Sequence, residues 1–349
     1  MHNIDYLFVP VSSLRGVGEY TQSLIIAQEL KLQCPDAKIA FVLNRHSPVV
    51  SQCPFPVFLV EDTPTKCSRS VMAIFKAQLP KVVIFDASGR VSQLKVAKQL
   101  GAKTVFISQH IKKRKKGLQL RRIVYTDAHY VVQPEFAFPP LTFYQKLKIR
   151  LAGGVFPEYI GPIIKLPDAQ QLDNTLAELN LVAGQFILFN AGSGGHSVGQ
   201  RLASDIFLAA AELITKKMNL PCVVVMGVNY PNTLPASALC RVIGHLSTDQ
   251  FSALLFATKF AVISGGSGFL QASLIGKQTV VVPISSDQPE RIAAFKKMGL
   301  GCEAQPTPLD ILNVAIALNT GEFEQKNTTV IKRGLDTAVA NLIALKSNP

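Results

Sequence analysis

At 349 residues this chain exceeds the roughly 100–200 residues of one domain, and its 48% apolar and 17% charged content excludes a disordered polypeptide. None of its apolar runs reaches the about 20 residues a membrane-spanning helix requires. A formal net charge of +13 calls for a partner of opposite sign.

Strand Asp5–Pro10 opens the chain and is followed by a glycine-bearing loop and a helix over Glu19–Leu32. Strands Lys38–Leu43 and Val57–Val60, helix Ser68–Gln78, strand Val82–Phe85, helix Ser92–Leu100 and strand Lys103–Ser108 continue the alternation. Short apolar strands separated by helices predict a parallel sheet covered on both faces. A second run starts at strand Phe186–Phe189. It continues through helix Ala203–Lys217, strand Cys222–Gly227, helix Thr248–Ala257 and strand Phe260–Ser264. Helix Phe269–Leu274, strand Thr279–Val282 and helix Gln288–Met298 follow, and a last helix near Leu335–Lys346 is placed to pack back on the first half. The Gly- and Pro-rich stretch Gly153–Pro162 reads as a hinge, giving an N-terminal domain over 1–160 and a C-terminal domain over 161–349. Two such domains are expected to face each other across a cleft and to bind ligand at the carboxyl ends of their strands. The six cysteines lie far apart with no CxxC pair, and no signal-peptide core opens the chain, so reduced thiols and a cytoplasmic location are expected.

Three loops carry chemistry. The first, Leu14–Tyr20, follows the first strand. Gly16 and Gly18 permit a tight turn, Arg15 adds a cation, and Glu19 stands in the first helical turn. An ordinary strand-to-helix turn would show the same pattern, since the helix dipole favours an acid there. The second loop, Asn190–His196, holds Gly192, Ser193, Gly194 and Gly195, whose N–H groups can meet a phosphate, with His196 either binding or simply solvated. In the third, Gly265, Gly266, Ser267 and Gly268 run from a strand end into a helix starting near Phe269, with Gln271 within its first turn. That helix start aims its dipole and free N–H groups at an anion. Downstream, Ser285, Ser286, Asp287 and Gln288 form a polar loop before a helix that Asp287 can cap and Pro289 can begin.

The positive charge is concentrated. From Lys103 to Arg150 there are eleven Lys or Arg residues against only Asp127 and Glu135. Lys112, Lys113, Arg114, Lys115 and Lys116 are contiguous, and apolar Leu118, Leu120, Phe143, Tyr144 and Leu147 lie among the later cations. That mixture suits an anionic membrane surface. A solvated charged loop is the plainer alternative, and no nucleic-acid-binding module accompanies the stretch.

A glycine loop after the first strand, a Gly-Pro stretch and a Gly265-Gly-Ser-Gly268 helix start together resemble the two-Rossmann-domain (GT-B) glycosyltransferases. The likeness extends to the peptidoglycan lipid N-acetylglucosaminyltransferase, the UDP-sugar hydrolase of the pseudaminic acid pathway and the lipopolysaccharide heptosyltransferases. The resemblance implies a nucleotide-sugar donor, with uracil as its base, held by Asn190–His196, Gly265–Gln271 and Ser285–Gln288. The acceptor would enter on the side of Arg15, Gly16, Gly18 and Tyr20. Relatives carry Gly-His or Gly-Asp where this chain has Gly18-Glu19, so Glu19 takes the place of the base. They commonly carry an acid on the ribose where this chain has Gln271. The chain contains no Asp-x-Asp sequence, so the expectation is an inverting transferase without metal or cofactor. It would act on a membrane-associated glycan or lipid acceptor, peripheral to the membrane through the basic segment. A nucleotide-sugar hydrolase or epimerase and a non-catalytic sugar-nucleotide binder are the alternatives.

Overall fold

A computed structural model of the chain describes residues 4–12, 18–323 and 331–347. The chain divides into two compact units. Unit 1 is Met1–Ile164 together with Lys332–Pro349, and unit 2 is Lys165–Ile331.

Unit 1 is a seven-stranded parallel sheet. Its strands are β1 (Tyr6–Pro10), β2 (Ile39–Asn44), β3 (Val57–Val60), β4 (Val82–Asp86), β5 (Lys103–Ser108), β6 (Ala128–Val131) and β7 (Pro157–Tyr159). The order across the sheet is β3-β2-β1-β4-β5-β6-β7, with Pro10 level with Asp86. Alternate side chains of β1 enter opposite cores, as a period of two requires. Tyr6 and Phe8 join Phe41 beneath α1 (Gly18–Gln33) and the final helix α13 (Gly334–Ser347). Leu7 and Val9 pack on the other face with Phe75 of α2 (Ser68–Gln78) and Leu94 of α3 (Val91–Gln99). Each phenylalanine so buried contributes about 1.5–3 kcal/mol.

The basic segment is helical. It forms α4 (Ile111–Gly117), α5 (Leu120–Ile123) and α6 (Phe143–Leu151), the last opened by a reciprocal cap between Thr142 and Gln145. Leu118, Ile123 and Ile149 make the small core beneath them. The expected hinge at Gly153–Pro162 is corrected. Residues Pro157–Tyr159 are a strand paired with β6, so their backbone groups are committed to the sheet, and the division between units falls after Ile164.

Unit 2 begins with α7 (Ala169–Glu178) and contains a second parallel sheet. Its strands are β8 (Ile187–Asn190), β11 (Cys222–Val225), β12 (Cys240–Ile243), β13 (Phe260–Ser264), β14 (Thr279–Val282) and β15 (Cys302–Glu303). A two-stranded hairpin, β9 (Ser197–Val198) with β10 (Arg201–Leu202), projects after β8. The helices are α8 (Ala203–Met218), α9 (Thr248–Ala257), α10 (Ser267–Leu274), α11 (Gln288–Lys297) and α12 (Pro308–Asn319). The sheet order is β12-β11-β8-β13-β14-β15, and α8 and α12 bury one of its faces. Both sheets therefore reverse direction next to their first strand. The chain leaves β1 and β4 in unit 1, and β8 and β13 in unit 2, toward opposite sides. In sheets of this kind ligands bind beside the loops at those carboxyl ends.

Candidate functional site

In unit 2 the reversal lies between Asn190 and Ser264, and it brings the glycine loops together. Asn190 holds its own loop. Its Nδ2 donates to Gly192 O (3.2 Å) and Val225 O (3.1 Å), while its Oδ1 accepts from Gly192 N (3.0 Å). Gly194 has φ +93°, and a Cβ there would stand 2.4 Å from Met226 O and 2.8 Å from Tyr230 N, so only glycine fits. Ser193 O accepts from Asn229 N at 2.7 Å, and Gly195 and His196 are exposed beyond it. A Cβ on Gly192 would reach Ser264 Oγ at 3.4 Å, which makes the second and third loops direct neighbours.

The third loop is clamped from below. Gly265 is buried, and a Cβ there would meet Ile292 Cδ1 at 2.8 Å and Gln288 Cβ at 3.1 Å. The Arg291 guanidinium, buried, donates to Gly265 O and pairs with Asp287 Oδ2 at 3.3 Å. Gly266 is the N-cap of α10, so the N–H groups of Ser267, Gly268 and Phe269 have no acceptor within the helix, and the Ser267 side chain is exposed beside them. Such a helix start, with its N–H groups open, can receive an anion.

Several expected contacts have other roles. The Phe269 ring is core, 5.0 Å from Phe295, so only its backbone can serve a ligand. Gln288 is buried with Oε1 accepting from Ile284 N at 2.9 Å, and it supports the glycine loop instead of facing outward. Asp287 occupies the N-cap of α11 but its side chain caps nothing. It accepts from Ser285 Oγ at 2.7 Å and pairs with Arg291. Gln271 Nε2 donates to Ser252 Oγ at 2.8 Å, so the amide is already oriented by α9. Sequence reasoning missed Arg291. Its position one turn after Asp287 was the available signal.

In unit 1 the reversal lies between Pro10 and Asp86. Arg15 and Gly16 lie outside the described residues. Gly18 is exposed at the start of α1, Glu19 is half-buried, and Tyr20 turns inward against Phe41 (5.8 Å), which removes its ring from any acceptor. Burial holds the Glu19 carboxyl above the usual carboxylate range. A backbone N–H and the Lys113 charge oppose that shift. Beside it is a residue the sequence did not single out. Asp86 is fully buried at the end of β4 and accepts from Gln22 Nε2 (2.8 Å), Ser23 Oγ (3.0 Å) and Gln109 Nε2. Burial and then the Glu19 charge raise Asp86 well above its ordinary value, while those three donors pull the other way. A carboxylate ending the apolar run Val82–Phe85 was the signal available in the sequence.

The five contiguous cations divide. Lys112 and Lys115 are exposed, and Lys113 and Lys116 are half-buried. Arg114, expected at a membrane surface, is buried. Its guanidinium donates to Pro139 O at 2.8 Å and to Tyr159 Oη, and lies over the Phe138 ring at 5.1 Å. Phe143 and Tyr144 stand out from α6 with 74% and 80% of their surface exposed.

Two Rossmann-like units, each with polar loops at its point of reversal, define the GT-B fold, and solved structures carry the same architecture. Os79 from O. sativa, in complex with UDP, aligns at a TM-score of 0.65 with 13% identity over 98% of this chain and 100% of its own. The calicheamicin glycosyltransferase CalG4 aligns at 0.58 with 13% identity over 99% and 96%. The UDP-GlcNAc 2-epimerase from Neisseria meningitidis bound to UDP-GlcNAc aligns at 0.60 with 12% identity over 97% and 100%. No family model matches the chain, and no curated protein matches it in sequence. Among the described residues no helix is long and apolar enough to cross a membrane.

Proposed function

We propose that this chain is an inverting glycosyltransferase that moves a sugar from a nucleotide-diphosphate donor, a UDP-sugar, to a hydroxyl of a membrane-associated glycan or lipid acceptor without a metal. The observation that carries the reading is the meeting of the Asn190–His196 and Gly265–Gly268 loops at the reversal of the second sheet. The α10 N–H groups open there, and Arg291 and Gln288 fix the loop beneath them. Neighbours of the same fold hold UDP or UDP-GlcNAc, which supports a uridine diphosphate there. The absence of an Asp-x-Asp sequence supports leaving-group stabilisation by backbone N–H groups and the helix dipole.

Glu19, kept basic by burial, accepts the proton of the acceptor hydroxyl. The acceptor oxygen bonds to the anomeric carbon as the bond from that carbon to the β-phosphate oxygen breaks. Its electron pair leaves with the nucleoside diphosphate, whose charge the start of α10 receives. Buried Asp86, which accepts from Gln22 and Ser23 of α1 and from Gln109, ties the start of α1 to the end of β4 beside Glu19. The exposed Phe143 and Tyr144, with exposed Leu147, Lys146 and Arg150 on the same helix, support docking of unit 1 on an anionic lipid surface.

Glu19→Gln is expected to lower kcat by about 10²–10⁴-fold, the usual contribution of a positioned base, and to leave UDP binding intact. UDP at about 100 times its dissociation constant should stabilise the protein by about 2.7 kcal/mol. Full turnover by the variant removes Glu19 from the mechanism, and no thermal shift with any nucleotide sugar removes the donor site. The epimerase neighbours favour one second reading, in which the donor sugar itself reacts. Incubation with UDP-GlcNAc alone separates the two: epimerised or released sugar supports the second, unchanged donor the first.

A further inference from the structure

Four cations gather around the loop Ala87–Arg90 at the carboxyl end of β4, and neither the fold nor the donor site uses all of them. Lys113 and Lys116 lie three residues apart on α4 and so share a face. Lys113 Nζ donates to Ala87 O at 3.0 Å. Buried Arg122 donates to Gly89 O at 2.9 Å and to Ser88 O, and stacks on Phe106 at 4.7 Å. Among the described residues the exposed Arg90 guanidinium donates through Nε alone, to Thr65 O at 2.7 Å.

None of the four enters an ion pair among the described residues, and the Lys116 ammonium has no hydrogen-bond partner there. Burial, and then the charges of Arg122, Lys113 and Arg90, push Lys116 down to about 8. The crowding is therefore mutual: Glu19 faces Lys113, but no acid among the described residues pairs with Lys116. Arg122 and Lys113 have a structural duty, because they satisfy three successive carbonyls of a loop in which Ala87 has φ +52° and Gly89 φ +76°. Lys116 has none. A half-buried ammonium with no partner, facing three further cations, is a pre-organised site for a multiply charged anion.

We infer that Lys116, Arg90 and Lys113 bind a phosphate or diphosphate group carried by the acceptor. Lys113 also acts on Glu19, so the site borders the candidate base, and a phosphate held there leaves an adjacent hydroxyl near Glu19. Assigning the phosphate to an acceptor rests on the glycosyl-transfer reading. The anion site itself does not.

The test is calorimetric titration of the full chain with inorganic pyrophosphate, with UDP saturating so that the unit 2 loops are filled. Lys116→Gln and Arg90→Gln should each weaken pyrophosphate binding by about tenfold, the scale of one charge-assisted contact. Lys95→Gln, which removes an exposed charge on α3, should change it less than about twofold. Lys116→Gln relieves crowding, so its thermal midpoint should match or exceed that of the parent, which guards against misfolding as the cause. Equal weakening by all three variants, or no pyrophosphate binding, overturns the site. The source of the phosphate is read from vesicles of phosphatidylglycerol and phosphatidylcholine. Unchanged sedimentation of Lys116→Gln with the anionic vesicles supports an acceptor phosphate. A loss there with pyrophosphate binding unchanged assigns Lys116 to the lipid surface and overturns the inference. Absence of a UDP shift in the parent protein would sink the transferase reading while leaving this result standing.

Discussion

Glu19 and Lys113 illustrate how far one side chain's chemistry depends on a distant neighbour. Lys113 favours the ionised form of Glu19, and burial disfavours it more. A carboxyl raised in this way loses its proton only above the ordinary value of about 4.3, so the acid limb of kcat/KM should lie above that value. Lys113→Gln removes the opposing cation, raises Glu19 further and should move the limb to higher pH. A pH profile of the two proteins decides it, and a limb that moves down denies Glu19 its role. Asp86 carries a stability consequence of the same sign. Its folded-state pKa is raised, so its contribution is fully present below about 3.8 and is lost as pH rises through the folded value. An acid in the first turn of α1 was legible in the sequence. The acid that closes the run Val82–Phe85 was visible too, but its burial against α1 was not, because Gln22 and Ser23, which hold it, are more than sixty residues away in the chain.

Among the elements, α10 shows what a glycine loop requires. A Cβ on Gly265 crowds Ile292 and Gln288, so in Gly265→Ala the Ile292 side chain must turn aside, or α11 or the loop must shift. We expect a loss of about 1–3 kcal/mol in stability, as overpacking generally causes, and at least tenfold weaker UDP binding, measured by urea denaturation and calorimetry. Wild-type affinity in that variant would show that the loop does not hold the donor. Helix α6 shows the opposite economy, with large apolar side chains left uncovered. Replacing both Phe143 and Tyr144 by Ser removes about 150–250 Å² of apolar surface per ring from any lipid contact. It should lower sedimentation with phosphatidylglycerol vesicles severalfold while leaving UDP binding unchanged. Retained vesicle binding would exclude α6 as the docking element. The order of α6 along the chain was readable as an amphiphilic stretch. The burial of Arg114 was not, since five cations in a row contain no apolar period that would mark an inner face.

For the molecule as a whole, the last helix completes the first unit. Leu335, Ala338, Val339 and Leu342 of α13 enter the same core as Tyr6, Phe8 and Phe41. Leu342→Ala should therefore destabilise unit 1 by about 2–5 kcal/mol, the usual cost of a buried leucine cavity, and leave UDP affinity in unit 2 unchanged. Denaturant titration with and without UDP measures both. An unaltered midpoint would remove α13 from that core.

By itself the sequence determined the two parallel sheets, their alternating helices and the glycine-rich helix start, because each depends on short-range periodicity and turn chemistry. It placed the strands Val57–Val60, Lys103–Ser108, Phe260–Ser264 and Thr279–Val282 at the residues where they occur. Tertiary structure alone decided which loops meet at the points of reversal, that Pro157–Tyr159 is a strand, and that Asp86 and Arg291 are buried and Lys116 half-buried. Those outcomes depend on strand order and on burial, which arise only when segments far apart in the chain pack and exclude water from the charges between them.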